Sequence, residues 1–120
     1  MTRLEEPVLD RAALIDRVEG DQSLLADMIE IFSAQAPRLL DTMEQSLEAG
    51  DTDALRRAAH KLKGTTAEIA ASRARRLAAA LEDMSANVRL DDAAETLAEL
   101  SREINRVLQE LATFTQGSVQ

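Results

Sequence analysis

Residues 55–69, LRRAAHKLKGTTAEI, set Leu55, Ala58, Ala59, Leu62, Thr66 and Ile69 three and four positions apart. That recurrence is the buried face of an amphipathic α-helix. With about 100° of rotation per residue and Leu62 at the middle of the buried stripe, His60 points about 160° away, toward solvent. Arg56, Arg57, Lys63, Gly64 and Ala67 fall on the same side, within about 60° of His60. The helix opens at Asp51 or Thr52, either of which can cap it, and breaks near Ala71–Ser72.

The same grammar extends outward in both directions. Upstream, Asp21 can cap a long helix to about Ala49, with Leu25, Met28, Ile29, Phe32, Ala36, Leu39, Met43 and Leu47 on one stripe; Pro37 inside it should bend it, and Gly50 closes it. Before it, Asp10 opens a short helix to about Glu19, ended by Gly20. Downstream, a fourth helix carries Leu77, Ala78, Leu81 and Met84. A turn over 87–91 leads to a last helix with Leu90, Ala93, Leu97, Leu100, Ile104, Val107, Leu111 and Phe114 as a heptad seam. Such a seam suits either an intermolecular coiled coil or one helix of a monomeric bundle. Ala, Leu, Glu and Arg dominate, and no alternating strand pattern is visible. The expected fold is all-α: an antiparallel four-helix bundle over residues 8–114 with a short extra N-terminal helix, and flexible ends at 1–7 and 115–120.

Composition narrows the function. The 120 residues hold one domain's worth of chain, with 45% hydrophobic and 30% charged residues. With no Cys and a single His, the chain offers neither a disulfide framework nor a multi-His or thiolate metal site. The start, MTRLEEPVLD, shows no signal-peptide core, and no run approaches the ~18 apolar residues of a membrane span, so a cytoplasmic protein is expected. A net charge of −8 argues against nucleic acid as a partner. Yet seven of the 14 Lys and Arg residues lie between Arg56 and Arg76: Arg56, Arg57, Lys61, Lys63, Arg73, Arg75 and Arg76. That run is either a solvated helix face or a basic patch suited to an anion or an acidic partner.

His60 is an exposed imidazole with a cation beside it. Gly64, one turn on, costs the helix roughly 1 kcal/mol relative to Ala and closes no turn, so its use is clearance for something approaching the ring. An accessible imidazole is a good nucleophile near neutral pH, and Lys63 can offset phosphoryl oxygens. These are the needs of a phosphoryl carrier.

Residues 58–71, AAHKLKGTTAEIAA, resemble the signature of histidine-containing phosphotransfer (HPt) domains: His60, Leu62, Lys63, Gly64, the small Thr65 and Thr66, Ile69 and Ala71 match it. Phe32 and the Leu81–Glu82 pair agree with the flanks, so the resemblance spans about residues 8–114. Ala70 departs from it, standing where the family usually has Gly. The resemblance implies a phosphoryl group on the outer ring nitrogen of His60, steadied by Lys63, with room left by Gly64. It also implies Glu82 as an orienter of the ring, although Glu82 is equally readable as an ordinary surface carboxylate.

The implied partners are receiver domains of response regulators or hybrid sensor kinases, which supply the aspartate and Mg²⁺. The chain itself needs no cofactor and holds no metal. It has no nucleotide loop and is too short for an ATP-binding domain, so it is a carrier and not a kinase. The family docks receivers on the first two helices and the His helix. That implicates Ile15, Leu24, Met28, Ile31 and Gln35, together with Arg56, Arg57, Lys61 and Ala67 around His60. Leu24, Met28, Ile31 and Gln35 lie along one edge of the second helix's stripe. They are either covered by Leu14, Ile15 or Val18 of the first helix or left in part exposed as an apolar docking patch. The competing functions are a helical adaptor in which His60 is incidental and, with less support, a metal- or cofactor-binding bundle.

Overall fold

The computed structural model describes residues 6–119, with side chains described for 6–114, and all its regular structure is helical. The helices are α1 (Arg11–Arg17), α2 (Gln22–Ala49), α3 (Thr52–Glu68), α4 (Ser72–Ala86) and α5 (Ala93–Val119). Three of them start where an aspartate can accept a free backbone N–H. Asp10 accepts from Ala13, Asp21 from Leu24 and Asp51 from Ala54. Each such cap stabilises its helix by about 1 kcal/mol. Gly50, at φ 71°, closes α2 in the left-handed conformation.

Helix α2 packs on α3, α3 on α4, α4 on α5 and α5 back on α2. With short connections between consecutive neighbours, that closed ring is an antiparallel four-helix bundle. Its centre holds Phe32, Met43, Leu55, Leu62, Leu81, Leu100, Ile104 and Val107, all essentially without solvent contact. Truncating a residue such as Phe32 to Ala would cost about 3–5 kcal/mol. The α5 seam is buried from Ala93 to Leu111, facing its own bundle. Helix α1 seals one end by inserting Leu14 and Val18.

The structure departs from the sequence expectations at several places. Helix α1 stops at Arg17, because Glu19 and Gly20 both take positive φ to turn the chain into α2. On α2, Leu40 is buried while Leu39 is only half-buried. Pro37 lies inside α2 without ending it, as expected. The α5 backbone is helical to Val119, which takes in most of the end expected to be flexible from Thr115. At the other end, Glu6 is tied down by an ion pair to Arg76 and a hydrogen bond from Arg73 to its carbonyl. Residues 1–5 and 120 of the expected flexible ends lie outside the described residues.

Ala70 explains how α3 hands over to α4 without the family glycine. It adopts φ 61°, the left-handed conformation that glycine would take freely. Its N–H donates to Ala67 O, Ala71 N–H donates to Thr66 O, and its carbonyl accepts from Asp10 N–H at 3.0 Å. The shape is kept, and the alanine carries the strain.

Candidate functional site

His60 sits mid-way along α3, about two and a half turns from the Asp51 cap. Leu62, its neighbour but one, is fully buried, and the rotation between them leaves the imidazole 65% exposed. Across the α3–α4 contact, Glu82 reaches the ring: its Oε2 lies 2.7 Å from His60 Nδ1. Its other oxygen, Oε1, lies 2.7 Å from Lys63 Nζ. One carboxylate therefore joins two residues of the His helix.

Hydrogen bonding from Lys63, and after it from His60, holds the Glu82 carboxyl below its ordinary value, against a partial desolvation that acts the other way. An ionised carboxylate can only accept, so the proton of the neutral imidazole resides on Nδ1. The lone pair is then on Nε2, the nitrogen facing away from Glu82. Glu82 is in direct contact with the ring. For a second α3 residue, Gly64, no atom of the described residues beyond its own stretch of helix backbone lies within 4 Å of where a Cβ would stand. Nothing inside the protein requires a glycine there, and the space beside the ring is open.

The basic run does not form a single patch. Arg56 and Arg57 both pair with Asp53 one turn back on α3. Arg73 turns the other way, toward α5, where with Arg106 it holds the buried Glu103, Oε1 receiving bonds at 3.1 and 2.8 Å. Arg76 pairs with Glu6. A carboxylate as buried as Glu103 needs such partners, and through it and Glu6 two of the seven basic residues, Arg73 and Arg76, are drawn away from the His60 face. Lys61 stays beside His60 with no ion-pair partner among the described residues. Lys63 is engaged with Glu82 rather than free.

Along the edge of α2, Leu24 and Ile31 are exposed, at 44% and 55%, while Met28 and Gln35 are half-buried. Ile15 on α1 is also exposed, at 45%. The α2 edge is thus only partly covered, while Leu14 and Val18 are buried in the core. Arg17, which sequence reasoning did not single out, donates from Nη1 to the carbonyl of Ala67 at the end of α3. Ala67 is half-buried rather than fully open. Only a basic residue at the last position of α1 hinted at this contact.

Among the described residues no group of three or more His, Asp or Glu is placed to hold a metal ion, and no helix is long and apolar enough to cross a membrane.

The family model for the Hpt domain matches residues 27–110, which include α3, α4 and the whole His60–Lys63–Glu82 cluster. The chain belongs to the Hpt family. It is a histidine phosphotransfer protein of the kind that works in phosphorelays. Two solved structures share the Hpt fold. Histidine-containing phosphotransfer protein B (HptB) from Pseudomonas aeruginosa PAO1 matches with a TM-score of 0.87 and 24% identity, covering 93% of this chain and 97% of that one. The HPT domain from the Hpt sensor hybrid histidine kinase of Shewanella matches with a TM-score of 0.79 and 16% identity, covering 92% and 95%. No curated protein matches the chain. Hpt domains act as phosphocarriers and interact with receiver domains of hybrid kinases and response regulators.

Proposed function

We propose that this Hpt domain accepts a phosphoryl group on Nε2 of His60 from the aspartyl phosphate of one receiver domain and passes it to the aspartate of another. The observation that carries this is the His60–Glu82 contact at 2.7 Å, which occupies Nδ1 and leaves Nε2 as the free nucleophile on an exposed ring. In the accepting step Nε2 bonds to phosphorus as the bond from phosphorus to the aspartate oxygen breaks. The aspartate leaves as a carboxylate. The Nδ1 proton stays in place, and the positive charge that develops on the ring faces the Glu82 carboxylate. No proton has to enter or leave, and the return step reverses the same bonds.

Mg²⁺ belongs to the receiver, and the carrier itself supplies only the imidazole, its orienting carboxylate and room at Gly64. Docking uses the exposed apolar residues Leu24 and Ile31 on the edge of α2 and Ile15 on α1, with Lys61 beside His60 supplying positive charge. Apolar burial gives affinity there and charge gives orientation. The carrier acts as a cytoplasmic monomer and has no kinase activity of its own.

The test is phosphoryl uptake from phosphorylated receiver domains, read by intact mass. The expected adduct is acid-labile, base-stable and absent from His60→Gln. That variant should keep its stability within about 0.5 kcal/mol, because the ring is exposed. Binding of receivers with no adduct on the wild-type chain would instead identify a helical adaptor.

A further inference from the structure

Once His60 carries a phosphoryl group, two anions compete for Lys63. In the unmodified site its ammonium lies 2.7 Å from Glu82 Oε1, while Glu82 Oε2 takes Nδ1 of His60 at 2.7 Å. Lys63 follows His60 by three positions on the same helix face, so oxygens added at Nε2 come within reach of the same ammonium. They bring up to two negative charges to a site where one carboxylate already stands. The carboxylate is only 22% exposed and Lys63 33%, against 65% for the ring that would hold the phosphoryl group. Solvent therefore weakens the ammonium's attraction to the phosphoryl oxygens more than its attraction to Glu82.

Glu82 also keeps Nδ1 protonated. When the phosphoryl group departs, the bond between phosphorus and Nε2 breaks and its electron pair returns to Nε2. The leaving group is then neutral imidazole with its Nδ1 proton unmoved, and phosphorus bonds to an oxygen of the acceptor. Both effects of the carboxylate act in one direction.

We infer that Glu82, by holding Lys63 and the Nδ1 proton together, sets how tightly His60 keeps a phosphoryl group: the ionised carboxylate makes the site a ready donor, and a neutral residue at 82 would turn it into a store. This rests on His60 being the phosphoryl site. Glutamine is the informative replacement. Its carbonyl can still accept from Nδ1, so the ring stays oriented, but it has no charge with which to hold Lys63.

The experiment loads the intact chain with potassium phosphoramidate and follows loss of the adduct at neutral pH by ³¹P NMR and intact mass. Glu82→Gln is expected to lengthen the adduct lifetime on the order of tenfold, the weight of one unit charge released to a partly solvated phosphoryl group. Adding Lys63→Met to Glu82→Gln should remove most of that gain. A Glu82→Gln lifetime equal to or shorter than wild type would overturn the inference and leave Glu82 as a ring orienter alone; a gain that survives in full without Lys63 would also overturn it, because Lys63 would then have no part in it. A wild-type chain that takes no phosphoryl group on His60 would overturn the site assignment itself and this inference with it.

Discussion

Glu82 and His60, 22 positions apart on α4 and α3, meet with Oε2 2.7 Å from Nδ1. The contact decides which ring nitrogen is free, and it makes the ionisation of Glu82 part of the site. Lys63 foremost, then His60, holds the Glu82 carboxyl below its ordinary 4.5. A depressed carboxyl contributes stability that is fully present above the ordinary value and is lost as pH falls through the lowered one. The site should therefore hold its geometry from neutral pH down to about 4.5 and come apart only below. In a ¹³C NMR titration the Glu82 carboxyl should move back toward the ordinary value in Lys63→Met. An unmoved midpoint would mean that Lys63 does not hold Glu82 in solution.

Gly64 lies one turn beyond His60 with open space where a Cβ would be. Gly64→Gln should raise helix stability by up to about 1 kcal/mol, seen as a higher urea midpoint. Phosphotransfer with a receiver should slow, because the added side chain stands in its path to the imidazole. Wild-type transfer rates in this variant would show that the glycine is not there for clearance.

The exposed edge of α2 should be where a receiver gains affinity. Leu24→Asp and Ile31→Asp each place a charge at a position 44% and 55% exposed, so the bundle should remain folded by circular dichroism. Receiver binding should weaken by about 1–3 kcal/mol in a titration with labelled receiver. Uptake from phosphoramidate should not change. Met28 is the poorer probe because it is half-buried against the core, and an aspartate there would also cost stability. Unaltered affinity in both exposed variants would move the docking surface to another face.

At the α3–α4 junction Ala70 holds φ 61°. An L-residue in that conformation costs roughly 1–2 kcal/mol, while glycine loses more backbone entropy on folding. Glycine also gives up a methyl group that is 7% exposed. The net gain for Ala70→Gly should be up to about 1 kcal/mol, a rise of several degrees in Tm. A lower Tm would mean that the buried methyl outweighs the relief of strain.

Much of this molecule is legible along the chain. The stripes of α2 to α5, the caps Asp10, Asp21 and Asp51, the left-handed close at Gly50 and the outward direction of His60 all depend on local backbone geometry. A rotation of about 100° per residue fixes where a side chain points relative to its own axis. Leu39 against Leu40 shows the limit: both lie near the edge of the α2 stripe, and the neighbouring helix decides which is covered.

What stands opposite each side chain was decided only in three dimensions. Glu82 was open to two readings until α4 packed on α3. The basic run read as one feature, but α5 draws Arg73 to the buried Glu103, and the N-terminal segment draws Arg76 to Glu6. Arg17 finds the carbonyl of Ala67, 50 positions away. Helix α1 leaves Ile15, Leu24 and Ile31 in solvent because its placement lets Leu14 and Val18, and not Ile15, fill the end of the bundle. Helical periodicity is a property of one axis. Charge pairing and coverage depend on the distance between two axes, which is set by how the side chains of both helices pack.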